Sequence, residues 1–306
     1  MPAYSLCPAL QAYIADSARF APTDSSLLAR RQAFACACRH FTPAPPPGVA
    51  ISDVQLAGRQ VRLYRPAGAV PTKGWPALLY LHGGGWNMGS HTTHDWFAFA
   101  VMRRVAVAII AVDYRLAPEH PFPAPLEDAW AVWASMRAGH VAGVDSQRLA
   151  VAGDSAGGAL AAGLCVWLRQ QGKPQPTLQA LAYPVLSART GFPSMAEHAQ
   201  APMLTTAGLL ASLEGYVPGP VAKADPRALP LESPGFSGLA PAWVGVAEYD
   251  PLYDHGRAYV AALQAAGGAA WLHIGKGLVH ASLRASGVAE VERFYDELAQ
   301  GLARAL

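Results

Sequence analysis

Charge is scarce in this chain. Asp, Glu, Lys and Arg make up 14% of its 306 residues and nearly cancel, to a formal net charge of +2. With no basic surplus to attract a polyanion, no nucleic-acid partner is expected. Cysteine is scarce too: Cys7, Cys36, Cys38 and Cys165 lack the paired spacing of a zinc site and read as reduced thiols, in the core or on the surface. No stretch approaches the roughly eighteen uncharged apolar residues that a membrane helix requires, so no stable membrane insertion is expected. Residues 1–28 contain Asp16 and Asp24 and lack a basic start followed by an apolar run. That pattern predicts no secretion signal and a cytoplasmic location. No internal repeat is present.

What is present is patterned. Gly153-Asp154-Ser155-Ala156-Gly157 stands between a short apolar run, 148–152, and an Ala/Leu-rich run beginning at Gly158. A serine at so sharp a strand-to-helix turn needs glycines on both sides, because side chains there would collide with neighbouring chain. The turn pushes the hydroxyl above the sheet, beside a helix N-terminus whose free N–H groups favour developing negative charge. About seventy residues upstream, the apolar run 76–81 leads straight into His82-Gly83-Gly84-Gly85-Trp86. Such a glycine run can aim several backbone N–H groups in one direction, as an oxyanion needs.

A serine nucleophile requires a base, and the base an orienting acid. In one recurrent arrangement these follow the serine in the order acid, histidine, each in a loop after a later strand. The apolar run 241–247 leads directly into Glu248-Tyr249-Asp250-Pro251-Leu252, which makes Asp250 the leading acid. Glu248, near the strand end, and Asp254, placed like a helix-starting residue, are the alternatives. Of three later histidines, His255 is too near the acid in sequence and His273 falls inside an expected strand. His280, in the loop beyond, is the expected base.

A hydrophobic content of 52% is enough to bury a large core in one α/β domain plus a cap. Patterning predicts strands at 51–56, 60–65, 76–81, 105–112, 148–152, 178–183, 241–247 and 270–274. Helices are expected notably at 126–137, 156–171, 256–266 and 288–305. The alternation predicts a mostly parallel central sheet with helices on both faces, its two early polar-patterned strands forming an antiparallel edge. Ala44-Pro45-Pro46-Pro47-Gly48 marks a linker. Residues 187–228 interrupt the alternation, and with residues 1–43 they are expected to form a helical cap over a catalytic domain spanning 50–306. Asp113, Arg115 and Glu119 follow a buried strand and are expected to form internal ion pairs. Trp86, Trp96, Phe97 and Phe99 could line an acyl pocket or pack the core. His91 and His94 are three residues apart, but apart from Asp95 nothing completes a metal site, so no metal is expected.

These segments together resemble the hormone-sensitive-lipase-like carboxylesterases, bacterial family IV of the α/β-hydrolase superfamily. The resemblance rests on His82-Gly83-Gly84-Gly85-Trp86, on the run from Asp113-Tyr114-Arg115-Leu116-Ala117-Pro118 to Ala124, on Gly153-Asp154-Ser155-Ala156-Gly157-Gly158, on Tyr183-Pro184 and on Tyr249-Asp250-Pro251-Leu252. It implies an α/β-hydrolase fold, Ser155 as nucleophile with Asp250 and His280 as partners, and an oxyanion hole of Gly84, Gly85 and Ala156 N–H groups. One place departs from the family: Gly-Phe usually follows the catalytic histidine, and here Ala281-Ser282 does. The function expected is a serine carboxylesterase acting on small-molecule esters of short to medium acyl chains, without a cofactor. An amide or formamide hydrolase using the same groups is the alternative among enzymes. A small-molecule receptor on the same fold is the alternative outside them, although plant gibberellin receptors of that kind lack the histidine. A homodimer is compatible with such a chain.

Overall fold

Residues 77–81, 108–112 and 149–154 are buried throughout, and strands without a polar face are stable only inside a sheet covered on both sides. The computed structural model, which describes residues 4–306, contains that sheet. Among the described residues its eight strands are β1 (Ala50–Leu56), β2 (Arg59–Arg65), β3 (Trp75–Leu81), β4 (Ala108–Val112), β5 (Val144–Asp154), β6 (Gln179–Ala182), β7 (Ala242–Tyr249) and β8 (Ala270–Val279). They lie in the order β1-β2-β4-β3-β5-β6-β7-β8. β2 is antiparallel to both β1 and β4, and every pair from β4 to β8 is parallel.

The helices are α1 (Pro8–Ser17), α2 (Leu27–Phe41), α3 (Asp95–Met102), α4 (Ala124–Arg137), α5 (Ala156–Gln170), α6 (Pro193–Glu197), α7 (Thr206–Tyr216), α8 (Gly219–Lys223), α9 (Tyr253–Ala265) and α10 (Ala289–Ala305). Residues of one pleat face, such as Leu79, Ile110 and Val151, meet Trp133 of α4, Leu160 of α5 and Tyr259 of α9. The opposite face, with Leu78, Ile109 and Ala152, meets Phe97 of α3, Phe294 of α10 and Leu10 of α1. α10 shows why the chain folds this way: Val291, Phe294, Tyr295, Leu298 and Leu302 recur at helical spacing and are all buried, and Glu290 and Glu292 stand in the first turn.

The expected strand 105–112 begins only at Ala108, because the Val105 N–H bonds back to the Val101 carbonyl and completes the end of α3. The expected strand 148–152 extends to both sides, with a break in register where Trp75 pairs with Val144 and Ala77 with Leu149. The last strand runs on past 274 to Val279. Residues 1–3 of the expected cap segment lie outside the described residues. No helix among the described residues is long and apolar enough to cross a membrane. The four cysteines are unpaired, Cys38 and Cys165 buried and Cys7 and Cys36 exposed.

Candidate active site

β5 ends at Asp154 and α5 begins at Ala156, so Ser155 alone makes the turn. Its backbone takes φ +53° and ψ −118°, a conformation costly for a residue with a side chain and tolerated only where surroundings enforce it. The enforcement is visible. The Ser155 N–H donates to the Ala182 carbonyl at 2.8 Å, and the flanking chain is too close for anything but glycine. A Cβ on Gly157 would lie 1.9 Å from the Leu81 oxygen, and one on Gly153 would lie 2.2 Å from the Gly157 oxygen.

Three loops converge on that hydroxyl. His280, one residue beyond β8, places Nε2 2.9 Å from Ser155 Oγ and Nδ1 2.7 Å from Asp250 Oδ2. Asp250, one residue beyond β7, is fully buried, and its second oxygen accepts the Leu252 N–H at 2.9 Å. The Tyr183 ring packs 4.6 Å from the imidazole. The alternatives weighed from sequence are engaged elsewhere. Glu248 accepts the Gly277 N–H at 2.7 Å, and Asp254 accepts the Ser194 N–H at 2.9 Å and pairs with Arg257. His255 Nδ1 accepts the Leu186 N–H at 3.1 Å, and His273 packs against Trp243 and Phe294 on the sheet.

The glycine run after β3 faces the same point. Gly84 and Gly85 adopt φ +118° and +59°, open to glycine and poorly to other residues. Among the described residues the N–H groups of Gly84, Gly85 and Ala156 donate to no acceptor. What holds the loop is Asp154, whose importance the sequence reading missed. One of its oxygens accepts both the Gly83 N–H at 2.8 Å and the Tyr80 hydroxyl at 2.6 Å. Burial pushes this carboxyl's pKa up, while those two hydrogen bonds pull it down. A lone acid ending an apolar strand was the available signal. The Tyr114 hydroxyl donates to the His82 carbonyl at 2.6 Å and its ring stacks on the imidazole, bracing the loop from the other side.

Ser155 and His280 open into a cavity of about 200 Å³. Trp86 and Trp96 form part of its wall, whereas Phe97 and Phe99 lie in the core under α3. Phe34 of α2 and Met203, Leu204 and Leu209 around α7 complete the apolar lining. The polar residues before α4 are engaged by other side chains, and not all of these contacts are internal ion pairs. Arg115 binds Asp128 at 2.8 Å, and Asp113 meets His91 at 3.2 Å. Glu119, half exposed, is gripped by Arg31 of α2 at 2.7 Å. His94 turns to the Thr93 hydroxyl, and Asp95 accepts from Tyr64 and Arg62. No cluster of metal-ligating side chains is found among the described residues.

Three buried histidines around this framework make the fold acid-sensitive. Burial lowers His82 to about 3 and His255 to about 4, and holds His94 well below its ordinary value. Unfolded, each returns to about 6.5. Between those values the unfolded chain binds more protons, so stability is intact above about pH 6.5 and falls as pH drops through it, at about 1.4 kcal/mol per pH unit for each histidine. The urea midpoint should therefore be far lower at pH 5 than at pH 7.5. Equal midpoints would contradict the neutral burial of these rings.

Comparison with known proteins agrees with this geometry. Residues 78–284 match a family model described as alpha/beta hydrolase fold. The chain is 37% identical over 294 residues to the carboxylic ester hydrolase LipN of Mycobacterium tuberculosis, covering 91% of this chain and 77% of that protein. The chain belongs to the hormone-sensitive-lipase-like carboxylesterases of the α/β-hydrolase superfamily. This carboxylesterase is also 39% identical over 247 residues to an ethyl acetate hydrolase of Pseudomonas putida, covering 78% of each chain. Its fold superposes on the crystal structure of a thermostable esterase from Pseudomonas putida ECU1011 with a TM-score of 0.91 and 26% identity, covering 100% of this chain and 99% of that one.

Proposed function

We propose that the enzyme hydrolyses small-molecule carboxylic esters of short to medium acyl chains through an acyl-enzyme, with Ser155, His280 and Asp250 as its triad. The observation that carries this reading is the hydrogen-bonded line from Asp250 through His280 to Ser155 Oγ, opening on an apolar cavity. With the Nδ1 proton held by Asp250, Nε2 is free to take the serine proton as Oγ attacks the ester carbonyl. The carbonyl oxygen becomes an oxyanion, which the N–H groups of Gly84, Gly85 and Ala156 accommodate at the positive end of α5. His280 returns the proton to the leaving alcohol, and water then repeats the sequence on the acyl-enzyme, freeing the acid.

Residues 1–43 and 187–228 act in this reading as a cap that bounds the acyl pocket, because Phe34, Met203, Leu204 and Leu209 line the cavity from those segments. The four unpaired thiols suit a reducing, cytoplasmic setting.

Initial rates on ethyl acetate, butyrate, hexanoate and octanoate and on the matching anilides test the function. A cavity of about 200 Å³ favours butyrate or hexanoate over octanoate, with anilides far slower. Anilides cleaved as fast as esters would overturn it. Leu209 is buried against the cavity, so Leu209→Ala should raise the octanoate-to-butyrate ratio by roughly tenfold, the scale on which a methylene or two changes discrimination in an apolar pocket. An unchanged ratio would remove this segment from the pocket.

A further inference from the structure

One group in the cavity wall has no part in the ester chemistry above. Arg284 is only 8% exposed, yet it lines the cavity together with Ser155, His280 and Phe34. A guanidinium stays charged at any pH the protein meets. Burying it is costly unless a counter-charge is supplied. Among the described residues it has no ion pair with a carboxylate, and its polar partners are the Cys38 sulfur at 3.5 Å and the Tyr13 hydroxyl. Cys38 is itself buried, and burial pushes its thiol up, so the sulfur is neutral and supplies no counter-charge. Asp154, the carboxyl in the same cavity wall, is taken up by Tyr80 and Gly83, and the rings packed around the guanidinium are neutral. The guanidinium carbon stands 5.5 Å from the centre of the Phe34 ring, which offsets only part of the lost hydration. Tyr13 and Tyr183 nearby are held protonated by burial, and His94 is held uncharged.

The backbone keeps this charge where it is. Ala281 takes a left-handed φ of +58°, and the Ser282 hydroxyl accepts the Val279 N–H at 3.0 Å and donates to the Val279 carbonyl at 2.6 Å. The turn Ser282–Arg284 is fastened further by the Tyr295 hydroxyl, which donates to the Leu283 carbonyl at 3.1 Å. Arg284 thus stands four residues beyond His280, in the stretch where the chain departs from the family's His-Gly-Phe. A buried cation fixed by this turn in the wall of the cavity that holds Ser155 and His280, with no carboxylate paired to it, suits a planar anion.

We propose that Arg284 is a specificity-determining residue and that this enzyme prefers esters carrying a free carboxylate, which the guanidinium binds while Ser155 meets the ester carbonyl. The proposal rests on the esterase reading above. Monoesters of dicarboxylic acids carry the carboxylate in the acyl half. Esters of hydroxy acids carry it in the alcohol half.

Matched pairs test both. Monoethyl glutarate is compared with ethyl glutaramate, and 2-butyryloxyacetate with 2-butyryloxyacetamide, the amide being a neutral partner of the same shape. The wild-type ratio of kcat/KM, acid over amide, should be about 30 or more in one of the two pairs, as for a desolvated charge pair. Arg284→Met should bring that ratio to one or below, and Arg284→Lys should leave it between. A wild-type ratio near one in both pairs, with the amides hydrolysed, overturns the role of Arg284 and leaves the esterase reading standing. No hydrolysis of any of the four overturns both. If Arg284→Met does not fold, the wild-type ratios and the lysine variant decide, and a lysine variant with the full wild-type preference counts against the guanidinium.

Discussion

Ser155→Ala should lower kcat for a short-chain ester by about 10⁴-fold or more while the protein stays folded. The size follows from what remains: the free N–H groups, the cavity and an intact His280, but no nucleophile through which they act. The fold should be indifferent. The hydroxyl's side-chain hydrogen bond runs to His280 Nε2, and the turn is secured through the Ser155 backbone N–H, which alanine keeps. Alanine also meets the strained φ of +53° on the same terms as serine. The check pairs ester turnover with circular dichroism and a melting curve. Activity within tenfold of wild type, on an unchanged spectrum, would rule Ser155 out.

Asp250→Asn should cost about 10⁴ in turnover as well, for a different reason. An asparagine amide facing His280 Nδ1 turns an acceptor into a donor, so the imidazole proton moves to Nε2, where a lone pair is needed. Volume and buried packing barely change, because Asp250 is enclosed and the substitution is nearly isosteric. Glu248→Gln and Asp254→Asn are the controls. They touch the Gly277 and Ser194 N–H groups, not the imidazole, and should leave turnover within about tenfold. A larger loss in either control would reassign the acid.

The turn at Ser155 was legible because its requirement is local: glycines at fixed offsets where an apolar strand meets an Ala-rich run. Asp250 was legible by its place just past a buried strand, and His280 by elimination of His255 and His273. Asp154 was not, since its work depends on Tyr80 and Gly83, more than seventy positions away. The same distance hid the clasp of Arg31 on Glu119, which ties α2 to the loop before α4. Trp96 and Phe97 could not be told apart either. They are neighbours on one short helix, and only packing decides that one faces the cavity while the other faces the sheet. Strand limits failed where pairing overrode pattern: β5 starts at Val144 through an irregular register that no alternation announces. After His280 the chain departs from the family's pattern, and from sequence alone the packing there was not legible. In the structure Ser282 takes up the turn's hydrogen bonds with its own hydroxyl.

Covalent trapping tests most directly whether Ser155 Oγ is the atom that is acylated. The protein is incubated with diethyl 4-nitrophenyl phosphate, which esterifies an activated serine, then digested and its peptides weighed. The expected result is one diethylphosphoryl group per chain, on the peptide containing Ser155, formed in step with loss of ester hydrolysis and absent from Ser155→Ala. Complete inactivation with the label on another residue would contradict the account.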